Sequence, residues 1–255
     1  MTFDLALYPA AGPGLGHLMR CYALAEAAVE MKAKVIVVRP AGEAPDAGLS
    51  MAWPCPVLVG RPEEAHVSIA DGLSPSPSHG DAMAGRWYIT DTRPLPAHHQ
   101  NDAVGYIYPH FGAVPVPGFP TFVGPGWMPL RRAFMVSQMP IRRLGTLMYK
   151  APPEIERAEF GLHGSLCVGL PANGAADAAD LMRECYRAVV PPSTIAYEAL
   201  AMGLSVELLH VAFPGCEQVG QAMVDAGVAT WYGDAAVRPP YYDGLGAARL
   251  LKALL

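Results

Sequence analysis

Two stretches of this 255-residue chain gather residues that could do chemistry. In the first, Pro9 to Gly16 is a glycine-rich loop with Gly12, Gly14 and Gly16, and His17 follows it. Glycines let a backbone come close to a ligand, and the helix start behind them offers unpaired N–H groups. A histidine there meets the positive end of a helix dipole, which favours a neutral imidazole able to take a proton from a hydroxyl or from water. The second stretch is Val-Val-Pro-Pro-Ser-Thr-Ile-Ala-Tyr-Glu-Ala-Leu-Ala-Met-Gly, residues 189–203. Pro191 and Pro192 stop a buried strand, Ser193 or Thr194 caps a helix, and Gly203 ends it. Ser193, Thr194 and the helix start suit a phosphate, and Glu198 one turn further in can accept hydrogen bonds from a ribose diol. An ordinary capped helix with Glu198 on a solvated face would have the same sequence.

Other candidates surround these two. Asp91 ends the strand Trp87–Thr90, on the same carboxyl edge as the glycine loop, and reads as a base itself or as an orienting partner for His17. His98 and His99 are adjacent, point apart and have no third ligand at metal spacing, so no metal site is expected. The glycine loop is not the dinucleotide fingerprint, because His17 stands where the third glycine belongs and Arg39, not an acid, ends the second strand. Residues 126–157 carry six basic residues against two acidic ones; among them Arg131, Arg132, Arg142 and Arg143 could hold phosphates or form a solvated face.

The elements that must position these groups alternate. Strands are expected at 3–8, 34–38, 56–60, 66–70, 87–90 and 104–108, with a helix over 17–32 whose Leu18, Cys21, Tyr22, Ala25 and Val29 share a face. A Pro/Gly-rich excursion or linker covers 109–129. A second alternation starts near Leu144, with strands at 144–149, 165–169, 187–190, 205–211 and 229–232. Its helices fall at 152–160, 175–186, 193–202, 217–226 and 244–254. Continuous apolar strands such as Lys-Val-Ile-Val-Val indicate parallel sheets covered on both faces. Hydrophobic content is 52% and charge 16%, which fits a well-buried globular protein. The net charge of −5 argues against a general nucleic-acid binder. Five scattered cysteines fit reduced core thiols in a cytoplasm, and neither a signal peptide nor a membrane span is expected.

Several motifs resemble one group of enzymes. Gly-Leu-Gly-His-Leu-Met-Arg-Cys-Tyr-Ala-Leu-Ala (14–25) resembles the signature of the UDP-sugar hydrolase of the pseudaminic acid pathway and of related spore-coat polysaccharide glycosyltransferases. Phe-Val-Gly-Pro-Gly-Trp-Met-Pro-Leu-Arg-Arg-Ala-Phe (122–134) is similar to a further segment of that group. Residues 181–205 and Cys216-Glu-Gln-Val-Gly-Gln-Ala-Met-Val-Asp-Ala-Gly (216–227) resemble the nucleotide-binding half of family 28 glycosyltransferases. The resemblance implies a GT-B architecture, α/β, with two Rossmann-like parallel-sheet domains facing a central cleft. It implies a UDP-sugar donor, an inverting reaction and no obligatory metal or other cofactor. It places Gly14 and Gly16 at the donor, His17 at the reacting centre, Ser193, Thr194 and Glu198 at the diphosphate and ribose, and Gln218 near the sugar. Arg20 is a further candidate for the leaving diphosphate. The family has Gly-Gly before the Ser/Thr, whereas Pro191-Pro192 stands here without N–H donors, and its early glycine turn is missing after Leu144–Tyr149.

The expected organisation is an N-terminal domain over 1–125, a linker over 126–143, a nucleotide-sugar domain over 144–243 and a last helix, 244–255, able to pack back on the first domain. The expected activity is transfer of a sugar to an acceptor hydroxyl on a carbohydrate or on a hydroxymethylated base in DNA. A UDP-sugar hydrolase and a non-catalytic binder are the rival readings.

Overall fold

The computed structural model describes residues 2–9, 15–39, 52–60, 64–71, 85–90, 103–135, 145–163, 167–169, 178–211, 215–235 and 243–255. The chain divides into two units, one reaching to Arg132 and taking in Leu245–Leu255, the other covering Ala133–Gly244. Among the described residues no helix is long and apolar enough to cross a membrane.

The first unit is built on β1 (Thr2–Pro9), α1 (Leu15–Glu30), β2 (Val35–Arg39), β3 (Val57–Val59), β4 (Glu64–Asp71), β5 (Arg86–Ile89), β6 (Ala103–Tyr108) and β7 (Thr121–Val123). These strands form one parallel seven-stranded sheet in the order β3-β2-β1-β4-β5-β6-β7. Alternation along β1 divides the core in two. Leu5 and Leu7 join Val35, Val37, Ile69, Ile89 and Ile107 on the face covered by α1, while Ala6 and Tyr8 join Ile36, Val38, Ala70, Tyr88 and Tyr106 on the other. The buried stripe of α1 runs through Cys21, Leu24, Ala25 and Ala28, and Val29, expected on that stripe, is exposed. Sequence reading took 109–129 as an excursion. The structure instead places β7 inside it, paired to β6, because Thr121-Phe122-Val123 supplies Phe122 to pack on Trp87 with ring centroids 5.1 Å apart. Residues 126–132, expected as linker, likewise belong to the first unit.

The second unit holds β8 (Gly145–Met148), α2 (Pro153–His163), β9 (Cys167–Gly169), α3 (Ala178–Glu184), β10 (Cys185–Val190), α4 (Thr194–Ala201), β11 (Ser205–Leu208), α5 (Cys216–Asp225) and β12 (Thr230–Trp231). Its parallel sheet runs β12-β11-β10-β8-β9. A buried ionic knot ties α2 to this sheet. Arg187 of β10 donates to Glu159 of α2 at 2.6 Å and to Glu207 of β11 at 2.6 Å, and the Tyr232 hydroxyl donates to Glu159 at 2.9 Å. Such a knot adds little net stability over an apolar core, but breaking it leaves buried charge unpaired.

The last helix, α6 (Gly246–Leu254), docks on the first unit through Ala247, Leu250 and Leu251, all fully buried. Arg249 donates to the Gly126 carbonyl at 2.9 Å, and Pro129 and Leu245 form an antiparallel bridge. Gly246 lets the helix start lie on the backbone of Met128, since a Cβ there would stand 2.1 Å from the Met128 carbonyl oxygen. Gly246→Ala is therefore expected to lower stability by roughly 1–3 kcal/mol, the usual cost of overpacking. The check is chemical denaturation, in which Gly126→Ala, placed only 3.9 Å from the Arg249 side chain, serves as the mild control.

Candidate functional sites at the two sheet edges

A parallel sheet with helices between its strands directs every strand's carboxyl end, and every following helix N-terminus, to one edge. Ligands bind at the point on that edge where the strand order reverses. In the first unit that point lies between β1 and β4, because β1 leads outward to β2 and β3 while β4 starts the run in the other direction. Asp71, the last residue of β4, is paired in register with Pro9, the last of β1. His17 and Arg20 sit one helical turn apart in the first turns of α1, so both reach Asp71.

The three side chains form a compact group. Arg20 donates through Nε to Asp71 Oδ2 at 2.8 Å and through Nη2 to Asp71 Oδ1 at 2.7 Å. His17 Nδ1 lies 2.8 Å from Asp71 Oδ1 and 2.8 Å from Arg20 Nη2. Asp71 is fully buried, Arg20 nearly so, and the His17 side chain keeps 27% of its surface.

Nδ1 thus lies at hydrogen-bond distance from both an acceptor, Asp71 Oδ1, and a donor, Arg20 Nη2, and the tautomer of the ring decides which of the two it engages. Cys21, one residue beyond Arg20, is no rival nucleophile: burial, then the Asp71 charge, pushes its thiol well above the usual range.

In the second unit the order reverses between β8 and β10, and α4 starts there. Ser193 is extended at the N-cap, and its hydroxyl makes no bond to its own helix. Its N–H is already given to the Pro191 carbonyl at 2.8 Å, and Pro191 and Pro192 have none. The helix is buried along 194–200, and Glu198 is 4% exposed, which excludes the solvated face that the sequence also allowed. Tyr149 donates its N–H to Val189 at 3.1 Å, which sets Lys150 beside the end of β10. Lys150 has a left-handed φ of 53°, a conformation that favours glycine.

A cavity of about 260 Å³ opens over the ends of β10, β11 and β12, lined by Pro192, His210, Val211, Glu217 and Trp231. His210 and Trp231 stack with centroids 4.1 Å apart and planes 12° from parallel. The volume suits one ring or sugar, not a whole sugar nucleotide. Gly220 makes the wall possible, since a Cβ there would meet the Trp231 ring at 2.5 Å and the Pro192 ring at 3.0 Å.

The structure thus joins His17 and Arg20, and it sets Ser193, Thr194, Glu198 and Gln218 in the second unit, with Gln218 exposed on the first turn of α5. Gly16 lies within α1. Arg20, expected on a phosphate, is turned onto Asp71. Arg131 is buried, and Arg132 gives its N–H to Glu26 at 2.9 Å and pairs with Glu30. Glu30 closes α1 roughly 20 Å from His17 at 1.5 Å per residue, so Arg132 is not brought to the histidine. Gly14, Asp91, Arg142 and Arg143 lie outside the described residues, as do His98 and His99. Sequence reasoning missed Asp71, Lys150, His210, Glu217 and Trp231. All except Glu217, on the first turn of α5, sit at or just beyond a strand's carboxyl end, and that position in a βα alternation was the available signal.

No family model and no curated protein matches the chain. Among solved structures it is similar to Acinetobacter baumannii MurG, with 11% identity and a TM-score of 0.53 over 98% of this chain and 90% of that one. It is similar to LpCGTa, solved in complex with UDP, with 13% identity and a TM-score of 0.56 over 98% and 89%. AviGT4, a glycosyltransferase involved in avilamycin A biosynthesis, gives 16% identity and a TM-score of 0.53 over 99% and 89%. The chain has the GT-B fold. Both switch points of this GT-B chain therefore carry polar groups on the edge where its fold binds ligands.

Two outcomes test this geometry. Asp71→Ala leaves the buried Arg20 guanidinium without its carboxylate and is expected to cost about 3–5 kcal/mol of stability. Gly220→Ala is expected to push Trp231 off the cavity wall, read as a change in Trp231 fluorescence against a Trp231→Phe blank.

Proposed function

We propose that the protein is a glycosyltransferase that takes a sugar from a UDP-sugar and passes it to an acceptor hydroxyl without a metal. The observation that carries this reading is the His17–Asp71 pair, 2.8 Å apart, at the switch point of a GT-B unit. Nε2 removes the acceptor proton, the acceptor oxygen attacks the anomeric carbon, and the bond from that carbon to the diphosphate oxygen breaks with inversion. Asp71 supports the imidazolium that forms. The UDP that leaves is held at the start of α4 by the Ser193 and Thr194 hydroxyls and the remaining helix N–H groups, with Lys150 as nearby cation. Glu198 accepts from the ribose, and Glu217 and Gln218 face the sugar at the start of α5. The UDP complex of LpCGTa supports a uridine donor.

A sugar acceptor is favoured over modified DNA. The DNA reading leaned on the arginines of 131–143, and the two described ones, Arg131 and Arg132, are buried or paired with α1. The hydrolase reading uses the same groups with water in place of the acceptor.

The test has two arms. Calorimetry with UDP is expected to show binding that Glu198→Ala weakens about 10-fold or more, as loss of a charged hydrogen bond would. No heat with UDP would remove the donor assignment. UDP release from a panel of UDP-sugars, with and without sugar acceptors, then reads the chemistry. His17→Ala is expected to lower turnover about 10²–10⁴-fold while UDP affinity stays unchanged. Release at full rate without any acceptor would make the protein a hydrolase. Combining Glu198→Ala with His17→Ala reports whether the two sites act on one substrate.

A further inference from the structure

We propose, on the UDP-sugar reading above, that the cavity beside Pro192 takes the sugar ring of the donor against the stacked His210–Trp231 pair, and that Glu217 selects an uncharged hexose over a uronic acid.

The cavity adjoins the start of α4. Pro192 lines it and directly precedes Ser193, the N-cap of that helix. It lies over the ends of β10, β11 and β12, so it extends from the switch point between β8 and β10 toward one edge of the sheet. A diphosphate on the Ser193 and Thr194 hydroxyls therefore sends one end of the donor, sugar or uridine, against Pro192.

At about 260 Å³ the cavity has room for a single ring. Its aromatic wall is held in place before any ligand arrives. The His210 and Trp231 rings stack with centroids 4.1 Å apart and planes 12° from parallel. Trp231 Nε1 donates to Gln221 Oε1 at 3.3 Å, and the bare Gly220 lets the indole edge lie on α5. A pyranose presents C–H groups on its faces, which pack on the negative face of an aromatic ring, and hydroxyls at its rim.

Uracil also stacks on aromatic rings, so the polar groups decide between the two ends. The uracil carbonyls need donors, and sugar hydroxyls can donate. Among the described side chains of the cavity, Pro192 and Val211 have no polar atom, and the single N–H of Trp231 is given to Gln221. The Glu217 carboxylate only accepts. That set suits hydroxyls, and a bond from one of them to Glu217 is charge-assisted. A uronic acid would set its own carboxylate against Glu217, a like-charge contact that rejects it.

The test is calorimetry of the full chain with UDP, with the neutral donors UDP-glucose and UDP-galactose, and with UDP-glucuronate. At least one neutral donor is expected to bind about 10-fold tighter than UDP, as one charge-assisted hydrogen bond would give. UDP-glucuronate is expected to bind about 10-fold more weakly than that donor, and Glu217→Gln to bring the two within about 2-fold. Trp231→Leu is expected to lower the neutral donor to the affinity of UDP and to leave UDP itself unchanged. Should Trp231→Leu not fold, Glu217→Gln, on an exposed side chain, decides alone. The proposal is overturned if UDP binds and no sugar adds affinity, or if Glu217→Gln leaves the discrimination as it was. It is also overturned if Trp231→Leu weakens UDP and the UDP-sugars equally, which would put the uridine in the cavity. In each of these outcomes UDP still binds and the donor assignment stands. Absence of UDP binding removes that assignment and this one with it.

Discussion

A carboxylate without water is the constraint around which the first unit is arranged. Asp71 is fully buried at the end of β4, where two charge-assisted bonds from Arg20 replace its hydration and His17 Nδ1 lies 2.8 Å away. That replacement dictates where α1 begins and which way it faces. His17 and Arg20 must lie three residues apart on one side of its first turns, and the last residue of β4 must stand level with the last of β1. Moving the helix by a single residue would rotate both side chains away and leave a buried charge unpaired, a cost of several kcal/mol.

The place of this group follows from the topology. In the order β3-β2-β1-β4-β5-β6-β7 the direction of the strand order reverses between β1 and β4, the position at which sheets of this kind bind ligands. The second sheet, β12-β11-β10-β8-β9, repeats the arrangement around β8 and β10. Each unit thus starts one helix at its switch point, α1 in the first and α4 in the second.

Pro191 and Pro192 give the second site its particular character. Neither Pro191 nor Pro192 has an N–H to offer there, and the Pro191 carbonyl takes that of Ser193. Pro192 instead forms one wall of a cavity with His210, Val211, Glu217 and Trp231, and the missing side chain of Gly220 makes room for it. The turn thus lacks those backbone donors and gains a rigid aromatic wall.

By itself the sequence determined most of the architecture. Apolar runs such as Lys-Val-Ile-Val-Val, bounded by turns and alternating with helical periods, can bury both faces only as parallel strands between helices. The glycine loop before His17 and the capped helix after Pro192 mark two strand ends, so His17, Ser193 and Thr194 were legible as candidates from local chemistry alone. Asp71 was not, for it lies 54 residues from His17, and nothing local separates it from Asp91. Strand order brings Asp71 level with the end of β1, and strand order is set by long-range pairing. Likewise Arg20, Arg131 and Arg132 look alike as cations on paper. Tertiary packing buried Arg20 against Asp71 and laid Arg132 on the acidic end of α1, because a guanidinium's role depends on the carboxylate that folding brings to it.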